Sequence, residues 1–213
     1  MTHAFDEDFW QRHWSHEQAG GPGSMGGNPP NPYLAPETSG LTPGTALDAG
    51  CGAGAEAIWL ASRGWHVTAI DISSQALARA AERAATSGAP ENLHWVRADL
   101  STWSPDTPFD LVMTHYAHPA MPQLDFYDRI SEWVAPGGTL LIVGHLHTQA
   151  ATGHGHGHHP PAEATATPAA ITARLHAPQW EIVTAEEHHR TLTGHDGRQV
   201  PLHDVVVRAT RRH

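Results

Sequence analysis

The chain has 213 residues, of which 12 are Lys or Arg and 22 are Asp or Glu, so its formal net charge is −10 at pH 7. That length is enough for one sizeable hydrophobic core, and the acidic balance argues against nucleic acid or a membrane as a partner. No stretch approaches the roughly 18 consecutive apolar residues of a membrane helix. The acidic N-terminus is unlike a signal peptide and the single cysteine, Cys51, fits a reducing compartment, so we expect a cytoplasmic protein.

The N-terminal segment is marked by aromatic residues and then by glycine and proline. Phe5, Phe9, Trp10 and Trp14 recur at helical spacing and predict a short amphipathic helix. Residues 19–32 are too rich in Gly and Pro for a regular element and predict a loop. We therefore divide the chain into a lid segment, residues 1–40, and a single domain, residues 41–213. The alternative is that the aromatic residues only anchor the N-terminus.

From Leu41 onwards, apolar strands and helices alternate along the chain. The pattern predicts strands near 45–49, 66–71, 93–98, 109–114 and 139–145. Helices are predicted over 54–63, 73–87 and 123–135, and Pro136-Gly137-Gly138 predicts a tight turn before the fifth strand. Short buried strands separated by helices are typical of a parallel sheet that is covered on both faces.

The last third of the chain follows a different pattern. Residues 150–169 are biased towards Gly, His, Ala, Thr and Pro and predict a loop, with a His-rich insertion at about 150–160. A helix at about 168–176 precedes two β-like runs, 180–192 and 200–211, that pair as a hairpin. The predicted fold is α/β: a Rossmann-like, mostly parallel seven-stranded sheet with helices on both faces and a C-terminal antiparallel hairpin.

The strongest functional signal is the glycine-rich turn after the first predicted strand. Glycines allow the backbone to approach a ligand closely, and Asp71, at the end of the second strand, can accept hydrogen bonds from a ribose. Gly50, Gly52 and Ala55 also satisfy the dinucleotide fingerprint, so an NAD-binding oxidoreductase is an alternative. A single domain and a final hairpin favour a different adenosine-containing ligand.

Several segments together resemble one family. The motif Asp48-Ala-Gly-Cys-Gly-Ala-Gly54 looks like motif I of the class I S-adenosylmethionine-dependent methyltransferases. Further similar segments follow in order, at 67–73, 98–100, 109–115 and 135–141. Within that family the chain resembles the small-molecule branch of the tellurite-resistance and thiopurine methyltransferases, which carry an aromatic N-terminal segment. The resemblance implies S-adenosylmethionine as the cofactor.

At the methionine end of the cofactor, the resemblance implies a binding role for the first loop. Gly50 and Gly52 are expected to pass their backbone beside the methionine, and Asp48 to orient its ammonium group. As a lid, the helix that carries Trp10 and Trp14 is expected to close over the cofactor and bring aromatic faces to the sulfonium, where a cation–π attraction is favourable. The alternative is that the glycines form only a strand-to-helix turn. Cys51, inside that turn, is expected to be a small buried residue and not a catalytic thiol.

At the nucleoside end, the resemblance implies four binding residues. Asp71 is expected to bind both ribose hydroxyls and Ile72 to lie against the adenine. Asp99 is expected to accept from the adenine amino group, while the N–H of Leu100 meets a ring nitrogen. Asp71 is alternatively a solvated strand end or a helix N-cap, and Asp99 a turn cap.

Histidines follow the fourth and fifth predicted strands, whose ends meet at the working edge of a parallel sheet. His115, His118 and His145 are therefore candidate catalytic bases, and Tyr116 and His147 are further candidates for acceptor contact. The alternative is that they only support the site. We expect methyl transfer to a small-molecule acceptor: a thiol, a metalloid or another nucleophile.

The segment 144–159 contains six histidines in sixteen positions. Such tracts can bind divalent metal adventitiously, but this one lacks the fixed ligand spacing of a structured site, so no metal ligand is assigned. A binding protein for metals or metalloids, built on the methyltransferase fold, is the remaining alternative.

Overall fold

The structure is a computed structural model that describes residues 5–16, 27–88, 91–146, 165–193 and 199–213. The His-rich insertion at about 150–160, His147 and the turn between the last two strands lie outside the described residues, as does most of the predicted 19–32 loop. The strands are β1 (Thr45–Ala49), β2 (His66–Asp71), β3 (Leu93–Arg97), β4 (Phe109–His115), β5 (Val134–His145), β6 (Trp180–Thr193) and β7 (Gln199–Arg211).

These strands form one seven-stranded sheet in the order β3-β2-β1-β4-β5-β7-β6. The first five are parallel to one another, whereas β7 pairs antiparallel with both β5 and β6. The predicted fold class, including the C-terminal hairpin, is confirmed. The strand order reverses between β1 and β4, and ligands bind beyond the carboxyl ends of the strands at such a point.

Six helices occur in the described part of the chain: α1 (Glu7–His16), α2 (Leu34–Thr38), α3 (Ala55–Ala61), α4 (Ser74–Ser87), α5 (Gln123–Ser131) and α6 (Pro168–Thr172). The predicted helices over 123–135 and 168–176 are too long. The first ends at Ser131 because Val134 already pairs with Phe109 in the sheet. None of the helices that the structure describes is long and apolar enough to span a membrane.

The predicted turn at Pro136-Gly137-Gly138 is wrong, because these residues lie inside β5. The register between β4 and β5 shifts between Phe109 and Leu111, so the strand continues through an irregularity. A Cβ at Gly138 would lie 2.9 Å from the Asp110 carbonyl oxygen, and this close approach requires glycine.

Both faces of the sheet are buried, which explains why its central strands are rich in apolar residues. On one face Leu47 and Val112 pack with Phe126 of α5, and on the other Leu111 and Met113 pack within a second cluster that includes Leu60 of α3. The helices therefore cover both faces and leave the carboxyl edge of the sheet open for a site.

Candidate active site

The loop between β1 and α3 is held against β2 by backbone hydrogen bonds. The N–H groups of Gly50 and Cys51 both donate to the carbonyl of Ile70, each at 2.9 Å. Gly50 has a φ of +85°, and a Cβ there would lie 2.3 Å from the Cβ of Ala117. Only glycine fits this position, because both the dihedral angle and the close approach exclude a side chain.

Asp71 closes the same loop from the end of β2. Its Oδ2 accepts from the Gly52 N–H at 2.9 Å and its Oδ1 accepts from the Ser73 N–H at 2.8 Å. Burial raises the pKa of Asp71, while these two hydrogen bonds oppose the shift. The N-cap of α4 is Ser73 and not Asp71. Each carboxylate oxygen of Asp71 retains acceptor capacity for a ligand hydroxyl.

A cavity of about 320 Å³ lies beyond this loop, at the carboxyl edge of the sheet. Its walls come from the ends of β1 to β4, from α1, from residues 28–32 and from one residue of β6. It brings together most of the residues predicted for the site: Trp14, Gly50, Gly52, Asp71, Ile72, Asp99, Leu100, His115 and His118. Asp48 and His145 do not line it.

Asp48 lies in β1 beneath the glycine loop and is 1% exposed. Its Oδ2 has no hydrogen-bond partner within the described residues. Burial raises the pKa of Asp48 well above its usual value, and the carboxylates of Glu56 and Asp71 add to that shift. The predicted role of Asp48 in orienting an ammonium group stays a prediction.

Asp99 and Leu100 lie in the turn after β3, on the cavity wall beside Ile72. The Oδ1 of Asp99 accepts from the Ser101 N–H at 2.8 Å, so Asp99 does cap a turn. Arg129 of α5 donates to the Leu100 carbonyl at 3.0 Å and fixes that turn in place. The adenine-binding roles of Ile72, Asp99 and Leu100 stay predictions.

Helix α1 lies over the cavity and is anchored at the same time. Trp14 is 4% exposed, and a Cβ at Gly52 would lie 3.1 Å from its indole ring. The indole N–H of Trp10 donates to the His118 carbonyl at 3.2 Å. Gln11 donates to Ser74 and accepts from Ser73 at the start of α4. The helix therefore covers the cavity and anchors the N-terminus.

The far side of the cavity carries two of the three histidine candidates. Burial lowers the pKa of His115 and of His118, so both rings are neutral at physiological pH. Neither ring nitrogen of His115 has a hydrogen-bond partner among the described residues. His145 instead stacks on Tyr116 at 4.1 Å, and its Nδ1 lies 3.5 Å from the Asp204 carboxylate.

A polar network behind Tyr116 contributes residues that the sequence did not reveal. Arg190 of β6 lines the cavity, donates to the Tyr116 hydroxyl at 3.0 Å and forms an ion pair with Asp204. Asn31 also donates to Tyr116, and Tyr33 donates to Asp204 at 3.1 Å. Burial alone would raise the pKa of Asp204, but the His145 and Arg190 side chains lower it to about 2. No sequence motif links these residues, which are far apart in the chain.

The sequence model of the family described as "Methyltransferase domain" matches residues 46–138. Thiocyanate methyltransferase 1 of Arabidopsis thaliana is 34% identical over 110 residues, which cover 52% of this chain and 48% of that protein. A probable thiol methyltransferase 2 of the same plant is 30% identical over 138 residues, covering 62% of this chain and 59% of that protein. The chain thus spans about half the length of the curated relatives it matches.

Solved structures share the fold across most of the chain. TehB from Haemophilus influenzae superposes with a TM-score of 0.68 and 17% identity, covering 86% of this chain and 62% of that one. The N-methyltransferase NodS from Bradyrhizobium japonicum WM9, in complex with S-adenosyl-l-homocysteine, superposes with a TM-score of 0.64 and 17% identity. That match covers 95% of this chain and 98% of NodS. At these identities the likeness concerns the fold alone.

Sheet order, loop geometry and the sequence match identify a class I S-adenosylmethionine-dependent methyltransferase domain, as the resemblance predicted. The family model covers residues 46–138, and over that part of the chain the predicted class, and with it the predicted cofactor S-adenosylmethionine, is confirmed. The residues present fit that cofactor. The bare backbone of Gly50 and Gly52 lies on the cavity wall beside Asp71, and the orphaned Oδ2 of Asp48 lies beneath the loop.

Proposed function

We propose that this protein transfers a methyl group from S-adenosylmethionine to a small sulfur nucleophile, a thiol or a related anion. One observation carries the proposal: a single cavity has the glycine loop and Asp71 on one side and His115, His118 and Arg190 on the other. Such an arrangement suits two ligands that meet within one water-poor space.

The size of the cavity supports a small acceptor. Ligand sites commonly measure roughly 300–1,000 Å³, and the space that the described residues enclose, about 320 Å³, lies at the low end of that range. A small acceptor needs little space beside a cofactor, and the names of the thiocyanate and thiol methyltransferases indicate small acceptors for those relatives.

When bound, S-adenosylmethionine supplies an electrophilic methyl carbon, and the acceptor's lone pair forms a bond to it as the bond to the sulfonium sulfur breaks with its electron pair. The chain's own residues align and desolvate this displacement. Asp71 would hold the ribose and the Gly50–Gly52 backbone would flank the methionine. Helix α1, as part of a lid formed by residues 1–40, would exclude water with Trp10 and Trp14.

The side of the cavity that carries His115, His118 and Arg190 favours a sulfur nucleophile over a more basic one such as an amine. A thiol, with an ordinary pKa of about 8.5, needs little help to lose its proton, whereas an ammonium group needs a stronger base. Neutral His115 and His118 add no positive charge that would repel a sulfonium. The Arg190 guanidinium, on the cavity wall, can donate to an anionic acceptor. As part of the same proposal, we expect the protein to be cytoplasmic, because thiols are kept reduced in that compartment.

The direct test is incubation with isotopically labelled methyl donor and a panel of acceptors: low-molecular-weight thiols, thiocyanate, phenols, amines and metalloid oxyanions. We expect the label on sulfur, with turnover abolished or strongly reduced in Asp71→Ala and kept in the exposed-surface control Asp106→Ala. Label appearing only on oxygen, nitrogen or a metalloid would overturn the choice of acceptor. In parallel calorimetry, tighter binding of NAD than of S-adenosylmethionine would overturn the reaction class.

A further inference from the structure

The ring of His118 is hydrogen-bonded to the first residue of α5. Its Nδ1 lies 3.0 Å from the Oε1 of Gln123, and the Nε2 of the same Gln123 side chain donates to the Ala117 carbonyl at 3.0 Å. Both side chains are buried, at 8% and 4% exposure for His118 and Gln123. Since α5 begins at Gln123, this contact ties the loop after β4 to a helix end.

The chemistry of these groups fixes where the protons lie. A backbone carbonyl only accepts hydrogen bonds, so the nitrogen of the Gln123 amide must face Ala117 and the oxygen must face His118. The amide oxygen also only accepts, so the Nδ1 of His118 must carry the proton. A neutral His118 therefore has an unprotonated Nε2, which has no hydrogen-bond partner among the described residues, while its ring lines the cavity.

We propose that Gln123 is a positioning residue that holds His118 as the Nδ1–H tautomer, so that the Nε2 of His118 accepts the S–H proton of the acceptor. The inference rests on the proposed function. The proton moves from sulfur to Nε2, and the S–H electron pair stays on sulfur and becomes the pair that forms the new S–CH3 bond. The resulting His118 imidazolium then releases its proton to solvent, which restores the neutral ring.

The groups that face His118 suit this role. From the segment just before α1, Phe5 lies 5.6 Å away between ring centroids and carries no titratable group. From α5, Gln123 is neutral, and from β5, His145 acts on the ring electrostatically. Burial lowers the pKa of His118 most, the Gln123 hydrogen bond partly opposes it, and His145 lowers it further. His118 is therefore neutral at pH 7, and its Nε2 is unprotonated.

The other two histidine candidates lack this arrangement. His115 has no hydrogen-bond partner within the described residues for either ring nitrogen, so nothing there fixes its tautomer. His145 lies beside Asp204 and does not line the cavity. Of the three histidines predicted from the sequence, only His118 combines a fixed tautomer with a place on the cavity wall.

The first test reads the tautomer in the free protein, without cofactor or acceptor. In nitrogen-15 NMR spectra of the wild type, we expect a protonated Nδ1 and an unprotonated Nε2 for His118. Gln123→Leu should give a mixture of tautomers. Gln123→Glu should keep the Nδ1–H form and raise the pKa of His118, because a carboxylate then faces the ring. A wild-type His118 with the proton on Nε2 would overturn the inference even if Gln123→Leu fails to fold.

The second test compares two acceptors in the methyl-transfer assay. A thiol has a proton to lose, whereas thiocyanate has none at neutral pH. We expect His118→Ala and Gln123→Leu to slow transfer to a thiol by at least about tenfold more than they slow transfer to thiocyanate. The exposed control Gln179→Leu should change neither rate. In Gln123→Glu, the acid limb of the thiol pH profile should move to higher pH.

The outcomes separate this inference from the proposed function. Equal slowing of both acceptors would assign His118 and Gln123 a merely structural role and overturn the inference. Failure of the wild type to methylate any sulfur acceptor would overturn the proposed function, whereas the NMR result would still report the tautomer.

Discussion

The half of the cavity that holds Gly50 and Asp71 is built mainly from backbone, whereas the half that holds Tyr116 and Arg190 is built from side chains. In the first half, loop N–H groups bond to the Ile70 carbonyl and to the Asp71 carboxylate. In the second, side chains from separate segments bond to one another around Asp204. A scaffold of backbone groups can bind the same cofactor in many different proteins. A network of side chains can be changed by substitution, so that the site selects a different acceptor.

The largest effect tests the backbone half. Gly50→Ala should lower the free energy of unfolding by about 3 kcal/mol, because it combines a left-handed backbone with a clash against Ala117. Gly88 is the matched control: its φ is +65°, but nothing lies within 4 Å of a Cβ there. Gly88→Ala should therefore cost only about 1 kcal/mol. Urea unfolding measures both, and equal losses would contradict the close approach of Gly50 to Ala117.

The next prediction concerns Asp204, which belongs to the network of side chains that includes Tyr116 and Arg190. Its pKa of about 2 in the folded protein lies below the unfolded value of about 3.9. The ionised carboxylate therefore stabilises the fold above about pH 4, and this contribution is lost as the pH falls towards 2. Asp204→Asn should lower the free energy of unfolding by about 2 kcal/mol at pH 7 and by clearly less at pH 3.

The measurement for Asp204→Asn is urea unfolding at both pH values, with Asp106→Asn as the exposed control. A difference from wild type that is the same at pH 7 and pH 3 would contradict the assigned protonation of Asp204. It would mean that the network owes its stability to neutral hydrogen bonds.

The affinity for S-adenosylmethionine tests the half of the cavity that holds Gly50 and Asp71. Asp71→Ala should weaken binding of S-adenosylmethionine by at least about tenfold, because two charge-assisted hydrogen bonds of about 1.5–3 kcal/mol each are lost. Calorimetry measures the affinity, and far-UV circular dichroism checks the fold. An affinity unchanged from wild type would remove the ribose assignment.

The smallest expected effect concerns acceptor selection. Arg190→Lys keeps a positive charge beside Asp204 but loses the planar guanidinium that reaches both Tyr116 and Asp204. The KM for thiocyanate should rise about tenfold, as expected for one lost hydrogen bond to a charged group, with the affinity for S-adenosylmethionine within about twofold of wild type. The exposed Arg212→Lys is the control. Equal weakening of acceptor and cofactor would contradict the separation of the two halves.

The same contrast explains what the sequence allowed us to predict. The strands from β1 to β4 and the final hairpin were predicted almost to the residue, because buried apolar runs and glycine turns are local signals. Asp71 could be singled out because it follows a strand at a fixed distance from the glycine loop. The cofactor followed from the resemblance of several segments to the methyltransferase family, because the glycine pattern alone also fits NAD.

The acceptor side could not be predicted, because its geometry depends on contacts between distant residues. Arg190 lies in a polar stretch of β6, and its place on the cavity wall follows only from the pairing of β6 with β7. Helix α2 was not predicted because Pro36 lies within its five residues. The turn at residues 136–138 was predicted wrongly because Pro-Gly-Gly is typical of a turn, whereas β5 continues through these residues as an irregularity between the pairs Phe109–Val134 and Leu111–Thr139.

A crystal structure with bound S-adenosylhomocysteine tests the central claim most directly. We predict that the nucleoside lies in the cavity beside Gly50 and Gly52, with both ribose hydroxyls within hydrogen-bonding distance of the Asp71 carboxylate. An adenosine bound elsewhere, or an Asp71 side chain turned away from the ribose, would contradict the account.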